Sequence, residues 1–256
     1  MKCLDELDLT SKKYLIFDMD GTLIDSIGIW NITDYKVIKQ FSGKEVDLAV
    51  IQKERDTFLE THHGDDIYIS YCEHLKNKYQ FPLSKEELIA LRWSISGEYL
   101  IHDVDFKPDA DVLLRLLKKA GYTLVLATAT TQNQLDIYSQ KNKQMLAKLN
   151  IYDVFDYVIR KEDVVHKKPH PEIYQKILAY YGVEPEDCLV FEDSLHGIIA
   201  AHDAGIEVVN VYDSYSDSDR ERIEQLADYK INSYREFLEN IAKRYDNLFN
   251  IVKNHG

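Results

Sequence analysis

The segment from Tyr14 to Thr22 constrains this chain more than any other. The strand-like run Tyr-Leu-Ile-Phe is followed by two aspartates, Asp18 and Asp20, and the chain then turns at Gly21. Carboxylates at the end of a buried strand are costly unless they bind a cation or take part in a reaction. The carboxyl end of a strand is also where α/β sheets bind ligands. The pair is therefore either a nucleophile with a neighbouring acid or base, or a solvated turn, and this segment alone leaves both open.

The charge of the chain restricts its partners. There are 31 basic and 44 acidic residues among 256, which gives a formal net charge of -13. Such a chain lacks the positive surface that nucleic acid requires, and no stretch approaches the ~18 apolar residues of a membrane span. The N-terminus also lacks the apolar region of a signal peptide. We expect a cytoplasmic protein that binds neither nucleic acid nor membrane, and nothing in the sequence demands more than a monomer.

From residue 106 onward, strand-like and helix-like segments alternate. The predicted strands are 122–127, 157–159, 188–191 and 206–211, and the predicted helices are 109–120, 131–149, 171–181 and 195–204. Alternation of this kind indicates βαβ units, and hence a parallel sheet that is covered on both faces. The expected fold class is therefore α/β, with a Rossmann-like parallel sheet and helices on both of its faces.

Residues 25–103 interrupt that alternation. They contain amphipathic helical stretches around 29–41, 44–61, 65–79 and 84–100, and no convincing strand. Because this all-helical block separates the first strand from its partners in the sheet, an insertion explains it best. We expect a core of residues 1–24 and 104–256, with a helical domain at 25–103 inserted after the first strand.

Three further segments place reactive side chains at the ends of predicted elements. Thr128 follows a strand, Lys168 comes just before a helix that starts at prolines, and Glu192 and Asp193 end another strand, with Gly197 in the helix beyond. The ends of parallel strands converge at one edge of a doubly wound sheet. Each of these segments alone is weak evidence for a functional site. The presence of all of them in this order, each at the end of its own element, is strong evidence.

This pattern resembles the haloacid dehalogenase superfamily, in its phosphatase and β-phosphoglucomutase-like branch with a helical (C1-type) cap. The similarity covers essentially the whole chain and implies a catalytic core with an inserted cap. The segment 17–22 resembles the family's first motif. The residues that resemble the other three are Thr128, then Lys168, then Glu192 and Asp193 with Ser194 and Gly197.

The resemblance implies a role for each catalytic residue. Asp18 would attack phosphorus and form an aspartyl-phosphate, while Asp20 would protonate the leaving oxygen and then activate water. Lys168 would offset negative charge, and Thr128 would donate a hydrogen bond to the phosphate. The adjacent Lys167 is a less suitable candidate, because the lysine directly before proline is the one that matches the motif.

The same resemblance implies Mg²⁺ as the cofactor. The ion would be held by an oxygen of Asp18, the backbone carbonyl of Asp20 and Asp193, with or without Glu192. A set of carboxylates with phosphate and water suits Mg²⁺ better than Zn²⁺, and no cluster of histidines and cysteines suggests otherwise.

These roles predict a phosphoric monoester hydrolase that acts on a small phosphorylated metabolite, such as a sugar phosphate. The presence of Asp20 favours phosphate esters, because the dehalogenase branch typically lacks this residue. A hexose phosphomutase is the first alternative, although Trp30 stands where the mutases that this chain resembles usually carry a histidine. A non-catalytic sensor of a phosphorylated metabolite is the second, and the intact set of motif residues argues against it. Lys44, Arg55 and Arg92 are candidate substrate-contacting bases between which the sequence does not choose.

Overall fold

The first strand lies in the interior of a parallel sheet. The computed structural model describes residues 1–62 and 67–244. Six strands form one sheet in the order β3-β2-β1-β4-β5-β6, and every neighbouring pair is parallel. The predicted α/β fold class is thus confirmed. The strands are β1 (Tyr14–Phe17), β2 (Thr123–Ala127), β3 (Tyr157–Ile159), β4 (Cys188–Glu192), β5 (Glu207–Val211) and β6 (Tyr229–Ile231).

Helices connect the strands and also form a separate group after β1. In that group are α1 (Gly28–Ser42), α2 (Leu48–Thr61), α3 (Ile67–Tyr79) and α4 (Lys85–His102). None of the helices within the described residues is both long and apolar enough to cross a membrane. The later helices are α5 (Ala110–Lys119), α6 (Gln132–Gln140), α7 (Lys143–Lys148), α8 (Ile151–Val154), α9 (Glu172–Tyr181), α10 (Leu195–Asp203), α11 (Arg220–Leu226) and α12 (Tyr234–Arg244).

Both faces of the sheet are apolar, because side chains alternate along each strand and both sets are buried. On one face, Ile16 and Val190 join a core that includes residues of α9, α10 and α11. On the other, the rings of Phe17 and Phe191 stack with centroids 4.5 Å apart, and Phe237 of α12 packs edge-on against Phe191 at 5.3 Å. This packing fixes the ends of β1 and β4 side by side.

The predicted helix 131–149 is wrong as a single element. It is divided into α6 and α7 at Lys141 and Asn142. The Asn142 side chain accepts a hydrogen bond from the Met145 backbone N–H at 3.0 Å and donates one to the Val104 carbonyl at 2.8 Å. Asparagine favours such caps over helix interiors, so a new helix begins there. Strand β6 was not predicted from the sequence.

The chain forms two compact units. Met1–Ser26 and the chain from Val104 onward make up one, and Ile27–Asp103 make up the other. The second unit contains α1 to α4, close to the four predicted helical stretches. Residues 65 and 66 of the third predicted stretch, and 245–256 of the predicted core, lie outside the described residues. The assignment of a catalytic core and a cap to the two parts stays a prediction.

A buried ion pair lies inside the helical unit. Arg92 Nε donates to Asp34 Oδ1 at 2.7 Å, and the two side chains are 1% and 0% exposed. Arg92 also donates to Cys72 Sγ at 3.0 Å, and Tyr71 OH donates to Asp34 Oδ2 at 3.1 Å. Of the three candidate substrate-contacting bases, Arg92 is therefore bound within the interior of its own unit.

Replacement of Asp34 by alanine should destabilise this unit strongly, since it leaves the Arg92 charge buried without its partner. We expect a loss of about 3–5 kcal/mol in the free energy of unfolding. Both tryptophans, Trp30 and Trp93, lie in the same unit. Urea unfolding followed by tryptophan fluorescence therefore reports on the helical unit.

The matched control is Glu45→Ala, which breaks the exposed pair between Lys39 Nζ and Glu45 Oε1. Exposed pairs contribute little because water screens them. The urea midpoint of this variant should stay close to that of the native chain. Equal urea midpoints for Asp34→Ala and Glu45→Ala would show that the buried pair contributes no more to stability than the exposed pair.

Candidate active site

Three of the predicted carboxylates meet where β1 and β4 end. Phe17 lies opposite Phe191 in the sheet, and the Asp18 backbone N–H donates to the Phe191 carbonyl at 3.0 Å. Asp18, Glu192 and Asp193 each offer a carboxylate oxygen, these oxygens all lie within 4.8 Å of one another, and all three residues are buried. The register of two neighbouring strands therefore creates the acidic cluster.

Lys168 connects this cluster to β2. Its Nζ donates to Asp18 Oδ1 at 2.7 Å, to Glu192 Oε1 at 2.7 Å and to the Ala127 carbonyl at 3.0 Å. The Lys168 side chain is only 9% exposed, whereas Lys167 is exposed. The structure thus brings the predicted lysine, and not its neighbour, to the carboxylates.

Burial makes the electrostatics of the cluster unfavourable. Loss of water raises the pKa of Asp18, and Glu192 raises it further, while Lys168 acts in the opposite direction. Burial also raises the pKa of Asp193, with Glu192 and Asp18 adding to the effect. Although burial opposes its charge, the two carboxylates it contacts hold the pKa of Lys168 well above its usual value. One ammonium does not balance three carboxylates. An all-oxygen donor set with excess negative charge therefore fits a hard divalent cation.

Gly21 allows the loop after β1 to approach β4 closely. Its φ is +82°, and a Cβ there would lie 2.4 Å from Asp193 Oδ2. The next residue, Thr22, donates its hydroxyl to Asp193 Oδ1 at 2.7 Å, and Tyr234 OH donates to the Thr22 carbonyl at 3.0 Å. The turn after the first strand therefore holds Asp193 in position.

The start of α10 holds Glu192. The backbone N–H groups of Asp193 and Ser194 donate to Glu192 Oε2 at 2.9 and 3.0 Å. Ser194 caps α10 by accepting from the Gly197 N–H at 3.1 Å. A Cβ on Gly197 would lie only 1.7 Å from Glu192 Oε1, so the helix can carry no side chain at this position without displacing the carboxylate.

Asp20 lies in a different environment from Asp18. Its Oδ1 accepts a hydrogen bond from Ser26 Oγ at 2.5 Å, and its Oδ2 accepts one from Thr130 Oγ1. The Asp20 side chain is not a member of the acidic cluster, so only its backbone carbonyl is available for the metal role that the sequence implied. The two aspartates of the first motif are therefore held by different sets of groups.

Thr128 follows β2 and donates its hydroxyl to Thr130 Oγ1 at 2.9 Å. Both residues are almost completely buried. Thr130 was not predicted as a site residue, because its only signal in the sequence is that it is a second threonine two positions after Thr128. Together, Thr128 and Thr130 link the end of β2 to Asp20.

Comparison with models of known protein families identifies the family of this chain. The model for haloacid dehalogenase-like hydrolases matches residues 12–205, which is most of the chain. The chain belongs to this family. All six predicted site residues of this hydrolase fall within the matched range. They are Asp18, Asp20, Thr128, Lys168, Glu192 and Asp193.

Individual relatives agree with the family. "Probable pseudouridine-5'-phosphatase" of Drosophila melanogaster is 29% identical over 205 residues, covering 78% of this chain and 81% of that protein. Hexitol phosphatase B of Escherichia coli is 27% identical over 222 residues, covering 86% and 92%. The solved structure of a "putative beta-phosphoglucomutase" from Thermotoga maritima matches with a TM-score of 0.72 at 25% identity, covering 91% and 99%. The predicted enzyme class is confirmed, and the chain is a phosphoric monoester hydrolase.

The close approach of α10 to Glu192 gives a test of the geometry. Gly197→Ala should displace the Glu192 carboxylate and weaken its bond to Lys168. We expect a loss of about 1–3 kcal/mol in stability, as for other overpacked interiors. Thermal unfolding followed by circular dichroism measures this loss.

Gly97→Ala is the matched control. Gly97 also lies within a helix, α4, and a Cβ there would meet nothing within 4 Å. Because alanine is the better helix former by up to about 1 kcal/mol, this variant should be as stable as the native chain or more so. If the Gly197→Ala and Gly97→Ala proteins melt at the same temperature, the space between Gly197 and Glu192 can accept a methyl group and the close contact is wrong.

Proposed function

We propose that this hydrolase is a Mg²⁺-dependent phosphatase that cleaves small phosphate monoesters through an aspartyl-phosphate on Asp18. The observation that carries the proposal is the position of Lys168 Nζ, which bonds both Asp18 and Glu192 at 2.7 Å. A nucleophilic carboxylate approaching an anionic phosphate needs nearby positive charge. The buried lysine supplies one such charge beside the proposed nucleophile.

Asp18 has the surroundings of a nucleophile. It is buried and has an oxygen bound to Lys168, and its backbone is fixed to β4. In the proposed first step, an Asp18 oxygen forms a bond to phosphorus while the bond from phosphorus to the leaving oxygen breaks. Water then attacks the phosphorus of the aspartyl-phosphate, releasing inorganic phosphate and restoring the Asp18 carboxylate.

Asp20 is proposed to move the protons in both steps. It would give a proton to the leaving oxygen in the first step and take one from water in the second. Its hydroxyl neighbours, Ser26 and Thr130, hold it apart from the acidic cluster. Two carboxylates only two residues apart can thus carry out different tasks, because their environments differ.

The metal would be held by Asp18, the Asp20 carbonyl and Asp193, with Glu192 either as a ligand or through its bond to Lys168. When bound, Mg²⁺ would neutralise charge on the phosphate and on the carboxylates. Thr128, at the end of β2, is proposed to donate its hydroxyl to a phosphate oxygen. The division into a catalytic core, 1–24 and 104–256, and a cap, 25–103, remains part of this proposal.

The substrate class is proposed from the relatives. The two phosphatases compared above are named for a pseudouridine 5'-phosphate and for hexitol phosphates, which are both small phosphorylated metabolites. We therefore propose a sugar phosphate or a related monoester for this chain.

The first test is phosphate release from a panel of sugar, alditol, nucleoside and aryl monophosphates with Mg²⁺. Native chain should release phosphate from at least one ester, and Asp18→Asn should release none, since an amide does not act as this nucleophile. A chelator should abolish release, and added Mg²⁺ should restore it. Undiminished release by Asp18→Asn would refute the aspartyl-phosphate.

The mutase alternative has its own signature in the same assay. The Thermotoga maritima structure compared above is described as a "putative beta-phosphoglucomutase", and its fold is similar to that of this chain. A mutase would isomerise a hexose 1-phosphate once a hexose bisphosphate is added, and would release little phosphate. Tight metabolite binding without either activity would instead favour the sensor.

A paired substitution tests the assignment of the lysine. Lys168→Ala removes the ammonium that contacts Asp18 and Glu192, so kcat should fall by about 10²-fold or more, as when other single charge-stabilising donors are removed. Lys167→Ala changes an exposed neighbour and should retain nearly native kcat. Comparable losses in the two variants would show that the wrong lysine was assigned.

A further inference from the structure

The Lys168 ammonium lies beside an aromatic ring as well as beside the carboxylates. Its Nζ is 5.3 Å from the centroid of the Tyr174 ring. Tyr174 lies on α9 and is completely buried, and the Lys168 side chain is only 9% exposed. The contact is therefore shielded from water, and a cation gains most from the negative face of a ring in such a setting.

One short segment of the chain sets this contact. Lys168 comes just before α9, and Tyr174 lies in the first turn of that helix, where its backbone N–H donates to the Pro171 carbonyl at 3.0 Å. Tyr174 also belongs to the apolar core that includes Ile16 and Val190. The ring is thus fixed by the core and by the start of the helix, whereas Lys168 carries its charge on a flexible four-carbon stem.

Hydrogen bonds alone leave the Lys168 ammonium some freedom. Its three N–H groups donate to two carboxylates of the acidic cluster and to a backbone carbonyl. Asp193 adds a third carboxylate to the same cluster, and an ammonium is a point charge that can exchange one carboxylate oxygen for another. The Tyr174 ring lies against the ammonium in addition to these acceptors and restricts that exchange.

We propose that Tyr174 is a positioning residue whose ring holds the Lys168 ammonium beside the nucleophile Asp18. This inference rests on the proposed phosphatase function, in which that ammonium offsets the charge of the phosphate. The ring attracts a cation without carrying a formal charge, so it adds no further anion to a cluster that already has an excess of carboxylates. With an aliphatic side chain in its place, the ammonium would spend less time beside Asp18.

The Tyr174 hydroxyl is not the group to which we assign this role. It is buried and makes no hydrogen bond to any residue in the described part of the chain. Burial raises its pKa, Lys168 opposes that rise, and Glu192 and Asp18 add to it. The hydroxyl is therefore neutral beside the cluster, and the substitution Tyr174→Phe removes it while leaving the ring in place.

The test compares a variant that keeps the ring with two that remove it. Tyr174→Phe should keep kcat for the best ester of the panel within about threefold of the native value. Tyr174→Met and Tyr174→Leu lack the ring but remain apolar, and methionine adapts best to the space that is left. In either of these variants that folds, as judged by circular dichroism, kcat should fall by about 10- to 30-fold, which is the factor expected for a desolvated contact between a cation and a ring.

Two further measurements separate positioning from a general loss of packing. In a Lys168→Ala background, removal of the ring should cause no further loss of kcat, because the ring acts through the lysine. Crystal structures should show Lys168 Nζ within hydrogen-bond distance of Asp18 in Tyr174→Phe and displaced from it in Tyr174→Met. This second measurement does not depend on activity, so it tests the position of Lys168 even if no ester of the panel is hydrolysed.

Tyr229→Leu is the matched control. Tyr229 is also buried, and its ring centroid lies 5.4 Å from Lys2 Nζ, but it belongs to β6 at the edge of the sheet. This variant should lose stability while its kcat remains native, because the lysine that it contacts is not part of the site.

Three results would overturn the positioning role of Tyr174. These are a native kcat in a folded variant without the ring, losses of equal size in Tyr174→Phe and Tyr174→Met, and an unchanged position of Lys168 in the crystal structure of Tyr174→Met. A native chain without Asp18-dependent phosphate release would instead overturn the phosphatase proposal, and the crystal structures would still decide whether the ring holds the lysine.

Discussion

The site depends on the burial of three carboxylates beside one ammonium at the ends of two neighbouring strands. Asp18, Glu192 and Asp193 repel one another, and the bonds of Lys168 offset only part of that repulsion. Stability at this edge must therefore come from elsewhere. The stacked Phe17 and Phe191 rings directly beneath, and the apolar residues on both faces of the sheet, supply it. The packing of the apolar core thus offsets the electrostatic repulsion at the site.

Local geometry gives the two aspartates of the first motif different surroundings. Asp18 directly follows β1, and its backbone N–H donates to the Phe191 carbonyl of β4. Asp20 lies beside the turn at Gly21 and contacts a different set of groups. Asp18 is bound by a charged lysine, and Asp20 by the neutral hydroxyls of Ser26 and Thr130. Hydroxyls can exchange one partner for another without leaving a buried charge unpaired. This property suits the acid and base role that is proposed for Asp20.

The sequence predicted the order of the elements and the residues that end strands, because both are local signals. Periods of 3.6 and 2.0 residues identified most helices and strands. The resemblance to the family motif, with its lysine directly before proline, favoured Lys168 over Lys167. It could not predict contacts that depend on which strands become neighbours. The bond from Thr130 to Asp20 joins residues 110 positions apart, and the burial of Arg92 against Asp34 joins residues 58 apart. The break at Asn142 was missed because its cap is completed by Val104, far away in the chain.

The order of the sheet also has a consequence for synthesis of the chain on the ribosome. β1 pairs with β2 and β4, yet the whole of the helical unit, Ile27–Asp103, is made before either partner. That unit has its own apolar core, so it can fold first, while β1 remains without its partner strands. Contacts this distant close slowly, which prolongs the exposure of β1. The acidic cluster forms only after Asp193 has been synthesised, so a nascent chain that ends before this residue lacks the complete candidate metal site.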